Sequence, residues 1–75
     1  EFTIYPNPTT STIRIKATNS LIRENVTIYT SEGVELLSDV IKGEDTEINL
    51  EGLPDGMYLI SIGDEIKQHF RVLKI

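Results

Sequence analysis

Apolar and polar positions alternate along most of the chain with a period of two. In Thr12-Ile13-Arg14-Ile15-Lys16-Ala17, the apolar side chains Ile13, Ile15 and Ala17 fall on one side, and Arg14 and Lys16 on the other. Asn25-Val26-Thr27-Ile28 does the same with Val26 and Ile28, and Thr46-Glu47-Ile48-Asn49-Leu50 with Ile48 and Leu50. Successive side chains of an extended strand point to opposite faces, so each segment predicts a strand with one dry and one wet face, as in antiparallel sheets. Met57-Tyr58-Leu59-Ile60-Ser61-Ile62 is apolar on both faces. It predicts a central strand with Tyr58, Ile60 and Ile62 inward and Leu59 partly covered. Residues 66–72 place Ile66, Phe70 and Val72 on one side. Segments 2–5 and 34–37 complete a set of seven.

Turn chemistry separates these segments. Tyr5-Pro6-Asn7-Pro8 stops the first strand, because neither proline can donate to a ladder. Thr30-Ser31-Glu32-Gly33 has the length and final glycine of a hairpin loop that needs positive φ. Leu53-Pro54-Asp55-Gly56 reads as a tight turn, with Pro54 presetting φ and Gly56 in the left-handed position. Gly63-Asp64 reads as a two-residue hairpin loop. Leu21 and Ile22, within 19–25, read as a short crossover and not a helix. Seven short strands spaced by turns predict an all-β fold, a seven-stranded antiparallel immunoglobulin-like β-sandwich.

Composition agrees. Ile, Val and Thr account for 23 of the 75 residues, and alanine occurs once. Branching at the β-carbon suits a pleated surface better than a helix. The length bounds the chain to one domain, 1–75, with a thin stability margin that no disulfide widens, since there is no cysteine. The first residue is Glu1, which reads as a processed form or a fragment excised from a larger protein. No apolar run reaches the roughly 20 residues that span a bilayer, and no basic start leads into an apolar stretch like a secretory leader.

Charge narrows the functions. The net charge is −5, and residues 31–55 carry eight acids against Lys42 alone. Nucleic-acid binding draws on clustered cations, and anionic membranes repel such a chain, so both are disfavoured as partners. The acidic stretch reads as a solvated face.

Catalysis has little material. His69 is the sole histidine, and no serine sits on a Gly-x-Ser-x-Gly elbow. The acid pairs Glu44-Asp45 and Asp64-Glu65 fall in expected loops, where acids are ordinary. Glu44, Asp45 and Glu47 could offer oxygens to calcium, but their spacing matches no calcium loop. Zinc is weaker still with one histidine and no cysteine. No cofactor is expected. Sugar binding usually needs an exposed aromatic platform. There is no Trp, and Tyr29, on the polar face of its strand, is the one ring that keeps that reading open. Asn25-Val26-Thr27 matches the N-glycosylation acceptor pattern and reads as chance within a strand.

Four of these pieces, in this order, resemble a known family. Tyr5-Pro6-Asn7-Pro8-Thr9 is similar to its opening motif. Val26-Thr27-Ile28-Tyr29 followed by Gly33 is similar to its V-x-I-Y-x-x-x-G. Leu53-Pro54-Asp55-Gly56-Met57-Tyr58 is close to its L-P-x-G-x-Y, and Phe70-Arg71-Val72-Leu73-Lys74 resembles its closing strand. The family is the C-terminal sorting domain of proteins exported by the type IX secretion system of Bacteroidetes-type bacteria. The chain departs from it at Val34, usually Lys or Arg, and at Ile75, which follows the usual closing lysine.

The resemblance implies an address and not an enzyme. It implies an N-terminal cargo exported first to the periplasm and then across the outer membrane to the cell surface or medium. The implied partners are the outer-membrane translocon, its shuttle proteins and a sortase-like peptidase that removes the domain upstream of Glu1. Recognition is expected at Lys67, Phe70, Arg71, Val72 and Lys74 of the last strand, with the turn Pro54, Asp55 and Gly56. The charged side chains Arg71 and Lys74 are expected to be exposed. Pro6, Asn7, Pro8, Gly33, Leu53 and Tyr58 are expected to be mainly structural. The rival from another class is an accessory carbohydrate-binding or spacer sandwich of a secreted hydrolase; a calcium-stabilised adhesion module is a third.

Overall fold

The computed structural model describes residues 2–17, 24–64 and 67–75. Seven strands follow one another: β1 (Phe2–Tyr5), β2 (Thr12–Ala17), β3 (Asn25–Thr30), β4 (Glu35–Val40), β5 (Asp45–Asn49), β6 (Gly56–Ile62) and β7 (Gln68–Lys74). They form a three-stranded sheet, β1-β2-β5, and a four-stranded sheet, β4-β3-β6-β7. Every strand pairing is antiparallel. This is the immunoglobulin-like sandwich that the alternation predicts. β4 lies beside β3, whereas a constant-type immunoglobulin domain keeps its fourth strand in the sheet of the first, second and fifth.

The dry faces meet between the sheets. Ile13 and Ile15 of β2 face Val26 and Ile28 of β3, Ile60 of β6 and Val72 of β7 in one core, all 0% exposed. Ile48 and Leu50, beside β2, and Ile41 close it. Thr46, next to Ile48 by two, is also buried, and its Oγ1 accepts from the Lys42 amide at 2.9 Å. β6 is central, as its doubly apolar pattern requires, with Tyr58, Ile60 and Ile62 inward and Leu59 half-buried. β4 is the edge on which the pattern is least satisfied: Val34, just before it, is 58% exposed and Leu36 is 39% exposed. A bulge between Ile28 and Tyr29 pairs Tyr29 with Glu35 and puts Leu36 outside while Leu37 stays inside.

Two of the turns form as expected. Gly33 sits at φ +93° in the β3–β4 turn, where the Thr30 hydroxyl accepts from the amides of Glu32 at 3.3 Å and Val34 at 3.1 Å. Gly56 has φ +151°. The β6–β7 connection differs from expectation. Ile62 pairs with Gln68 and not with Glu65, so Gly63-Asp64 is not a two-residue hairpin loop. Gly63 is drawn instead into a bond from its amide to the Asn25 carbonyl at 2.9 Å, which ties the loop to β3. Asp45 does not sit in a loop: it opens β5 and pairs with Arg14 at 3.3 Å. The crossover at Leu21 and Ile22, the strand position of Ile66 and the loop position of Glu65 lie outside the described residues.

Strand direction gives the sandwich two poles. β1, β3, β5 and β7 end, and β2, β4 and β6 begin, at one pole. Its loops are 6–11, 31–34 and 50–55, and Ile75 lies there too. The Leu50 amide donates to the Ser11 carbonyl at 2.8 Å, joining these loops. The chain enters β1 at the other pole, where Phe2 pairs with Ala17.

Candidate recognition site

The motif pieces lie far apart in the sequence and meet at the first pole. Residues 7–9 leave the three-stranded sheet and run along the outer edge of β7. The Thr9 amide donates to the Leu73 carbonyl at 2.8 Å, and the Ile75 amide donates to the Thr9 carbonyl at 2.9 Å. Asn7 completes the seam with its side chain. Its Nδ2 donates to the Arg71 carbonyl at 2.9 Å, and its Oδ1 accepts from the Leu73 amide at 3.0 Å. A carboxamide has the same donor and acceptor as a peptide unit, so Asn7 takes the place of a strand partner. The flanking Pro6 and Pro8 have no N–H, so the covering segment offers few donors of its own for further pairing. Thr9 is 2% exposed, and its hydroxyl donates to the Thr12 carbonyl at 2.6 Å. The bonds of Asn7 and Thr9 to β7 were not legible in the pattern. The signal for them was the lone amide side chain between two prolines.

The second piece is the β5–β6 turn. Leu53 packs against the core and its amide donates to the Leu50 carbonyl at 3.0 Å. Tyr58, 5% exposed, donates its hydroxyl to the Pro54 carbonyl, so the ring fills the core while its polar end fixes the turn. Pro54 and Asp55 are exposed. Gly56 pairs with Lys74, which sets the turn beside the end of β7. The third piece, the Gly33 turn, lies at the same pole because Thr30 pairs with Tyr58.

The expected cationic ribbon is not one patch. Lys74 is buried, 7% exposed, and not exposed as its charge implied. Its parity gave the signal: it shares a face with Phe70 and Val72, the inner one. Its Nζ reaches Asp55 Oδ1 at 3.4 Å, so its charge is spent inside the pole. Val72 is 0% exposed and Phe70 is half-buried against the core. Arg71 is exposed on the outer face. Lys67 is exposed but stands at the opposite pole, just before β7, beside a groove of about 400 Å³ lined also by Asn25, Thr27, Ser38 and Asp64. His69 is exposed. Among the described residues, no three His, Asp or Glu side chains are grouped to hold a metal.

The secretion system C-terminal sorting domain profile matches residues 3–75. The chain belongs to this family. Such a domain is a signal for type IX secretion sorting, with a cargo attached in the same chain, and it is not a catalytic domain. Among curated proteins, the chain is 32% identical to Beta-agarase A of Zobellia galactanivorans over 62 residues, which is 83% of this chain and 12% of that protein. The sorting domain thus spans a small part of the length of the relative it matches.

Proposed function

We propose that the type IX machinery reads this sorting domain as a folded body, at the pole where the motifs converge. One observation carries the reading. Three motif pieces separated by up to about fifty residues are brought to one end, while the chain leads into β1 from the other end. A cargo preceding Phe2 therefore hangs away from the motif pole and leaves it open to a receptor. The surface offered is the turn at Pro54, Asp55 and Gly56, the covering segment Pro6, Asn7 and Pro8, and the end of β7. Phe70, Val72 and Lys74 act from beneath, by holding that strand in place. In this reading the cargo crosses the periplasm, passes the outer-membrane translocon with its shuttle proteins, and loses the domain to a sortase-like peptidase at the surface.

The test is export of the full chain in type IX-competent cells. Removing the domain should abolish release of the cargo, as should disabling the translocon. Glu32→Lys with Glu51→Lys, both exposed at the motif pole, should cut export severalfold with the domain still folded, whereas Lys67→Glu at the far pole should not. Full export by the first variant would overturn the polar reading. A second reading, a carbohydrate-binding accessory, draws on the polar groove near Asn25, Thr27 and Ser38 and on the half-buried Tyr29 ring of the same strand. It requires retention on a polysaccharide column that Tyr29→Ala abolishes.

A further inference from the structure

On the outer face of the four-stranded sheet, one half carries the polar groove at Asn25, Thr27 and Ser38, but the half nearer the motif pole is not the wet surface that its position implies. Tyr29, Leu36, Met57, Leu59 and Leu73 all lie on it, drawn from all four strands. Met57 is 42% and Leu36 39% exposed, and the other three are half-buried. Contiguous apolar patches on a solvent-facing surface commonly mark contact sites. The charges around this one are ordered. Arg71, Leu59, Tyr29 and Glu35 form one row across the sheet through their register, with the cation on edge strand β7 and the acid on edge strand β4. Arg71 and Glu35 are both exposed and stand three strands apart, about 14 Å at the usual strand spacing.

We propose that this face is an interface with a second copy of the chain, formed by face-to-face packing about a two-fold axis parallel to the strands. Such an axis lays β7 of one copy over β4 of the other and β6 over β3. Arg71 then opposes Glu35 twice, and Leu59 opposes Tyr29 twice. A two-fold contact must be self-complementary, and a row that is cationic at one end, acidic at the other and apolar between meets that condition. Aligned packing of two sheets about 10 Å apart with apolar side chains between them is an ordinary sandwich geometry. An anionic lipid surface would meet Glu35 and Glu32 at one side of the patch, and repulsion there disfavours it. The patch is small, so the contact is a weak and reversible one.

Sedimentation of the full chain with the sorting domain still attached, from about 10 μM to about 1 mM, the range in which small interfaces associate, tests this. The expected result is a concentration-dependent dimer. Arg71→Glu alone and Glu35→Arg alone should each be monomeric, since each sets like charges opposite one another. Mixed in equal amounts, the two variants should form a heterodimer, because both opposing pairs are then complementary. Both positions are exposed, and unchanged melting curves verify that each variant is folded. A wild-type chain that stays monomeric across the range overturns the proposal. So does a dimer indifferent to both substitutions, or a mixture that fails to associate.

Discussion

Lys74 shows how one side chain reverses a surface argument. A lysine near the end of a chain reads as solvated, but strand parity turns this one inward beside Val72. Its stem lies in the sandwich and its ammonium meets Asp55, which is itself largely exposed. Long cationic side chains bury their methylenes while keeping the head near a polar partner. Lys74→Met should therefore shift stability by no more than about 1 kcal/mol, since the largely exposed Asp55 carboxylate stays solvated when the ammonium is gone and the methionine keeps the buried stem packed. Lys74→Glu places a carboxylate in the same site facing Asp55 and should lose about 2–4 kcal/mol. Arg71→Glu, on the outer face, should stay within about 0.5 kcal/mol of the parent. Thermal melts of the three variants check the order. Reversing Arg71 thus perturbs the surface alone, whereas reversing Lys74 perturbs the fold.

At the scale of elements, β7 is an edge strand without a free edge over its last half. A bare edge is a template for unwanted pairing. Here residues 7–9 cover it, and the side chain of Asn7 supplies two of the four bonds. Asn7→Ala should cost about 1–2 kcal/mol, or roughly 5–10 °C in melting temperature for a domain of this size. The Leu73 amide should exchange markedly faster in that variant, because Asn7 Oδ1 is its acceptor. Unaltered exchange at Leu73 would show that Asn7 does not hold the edge. The strands themselves were largely legible: β2, β3, β5 and β6 follow from alternation, since a half-buried strand must repeat every second residue. The β6–β7 connection was not. Gly63-Asp64 has the residues of a tight hairpin, but a bond from Gly63 to β3 competes with the local turn.

At the scale of the molecule, seven strands share one core, and β7 contributes Val72 to its centre and pairs with β6 from end to end. Deleting residues 70–75 should therefore abolish cooperative melting and not merely remove a docking surface. A small domain has only a few kcal/mol in reserve. Loss of export on that deletion would report unfolding, and a deletion that still melts cooperatively would contradict this account of the core. Substitutions at exposed positions of the motif pole are what separate recognition from stability.

The class of fold, the strand faces, most turns and the family are readable along the chain, because they depend on periods of two, on residues with special φ and on motif order, all local properties. Tertiary structure decided which of those local pieces are neighbours. It brought three distant motifs to one pole, turned Lys74 inward, set Asn7 against the last strand, and aligned Arg71 and Glu35 across a sheet. Such placements depend on strand order and register, which follow from the burial of all faces together, and no single segment carries that information.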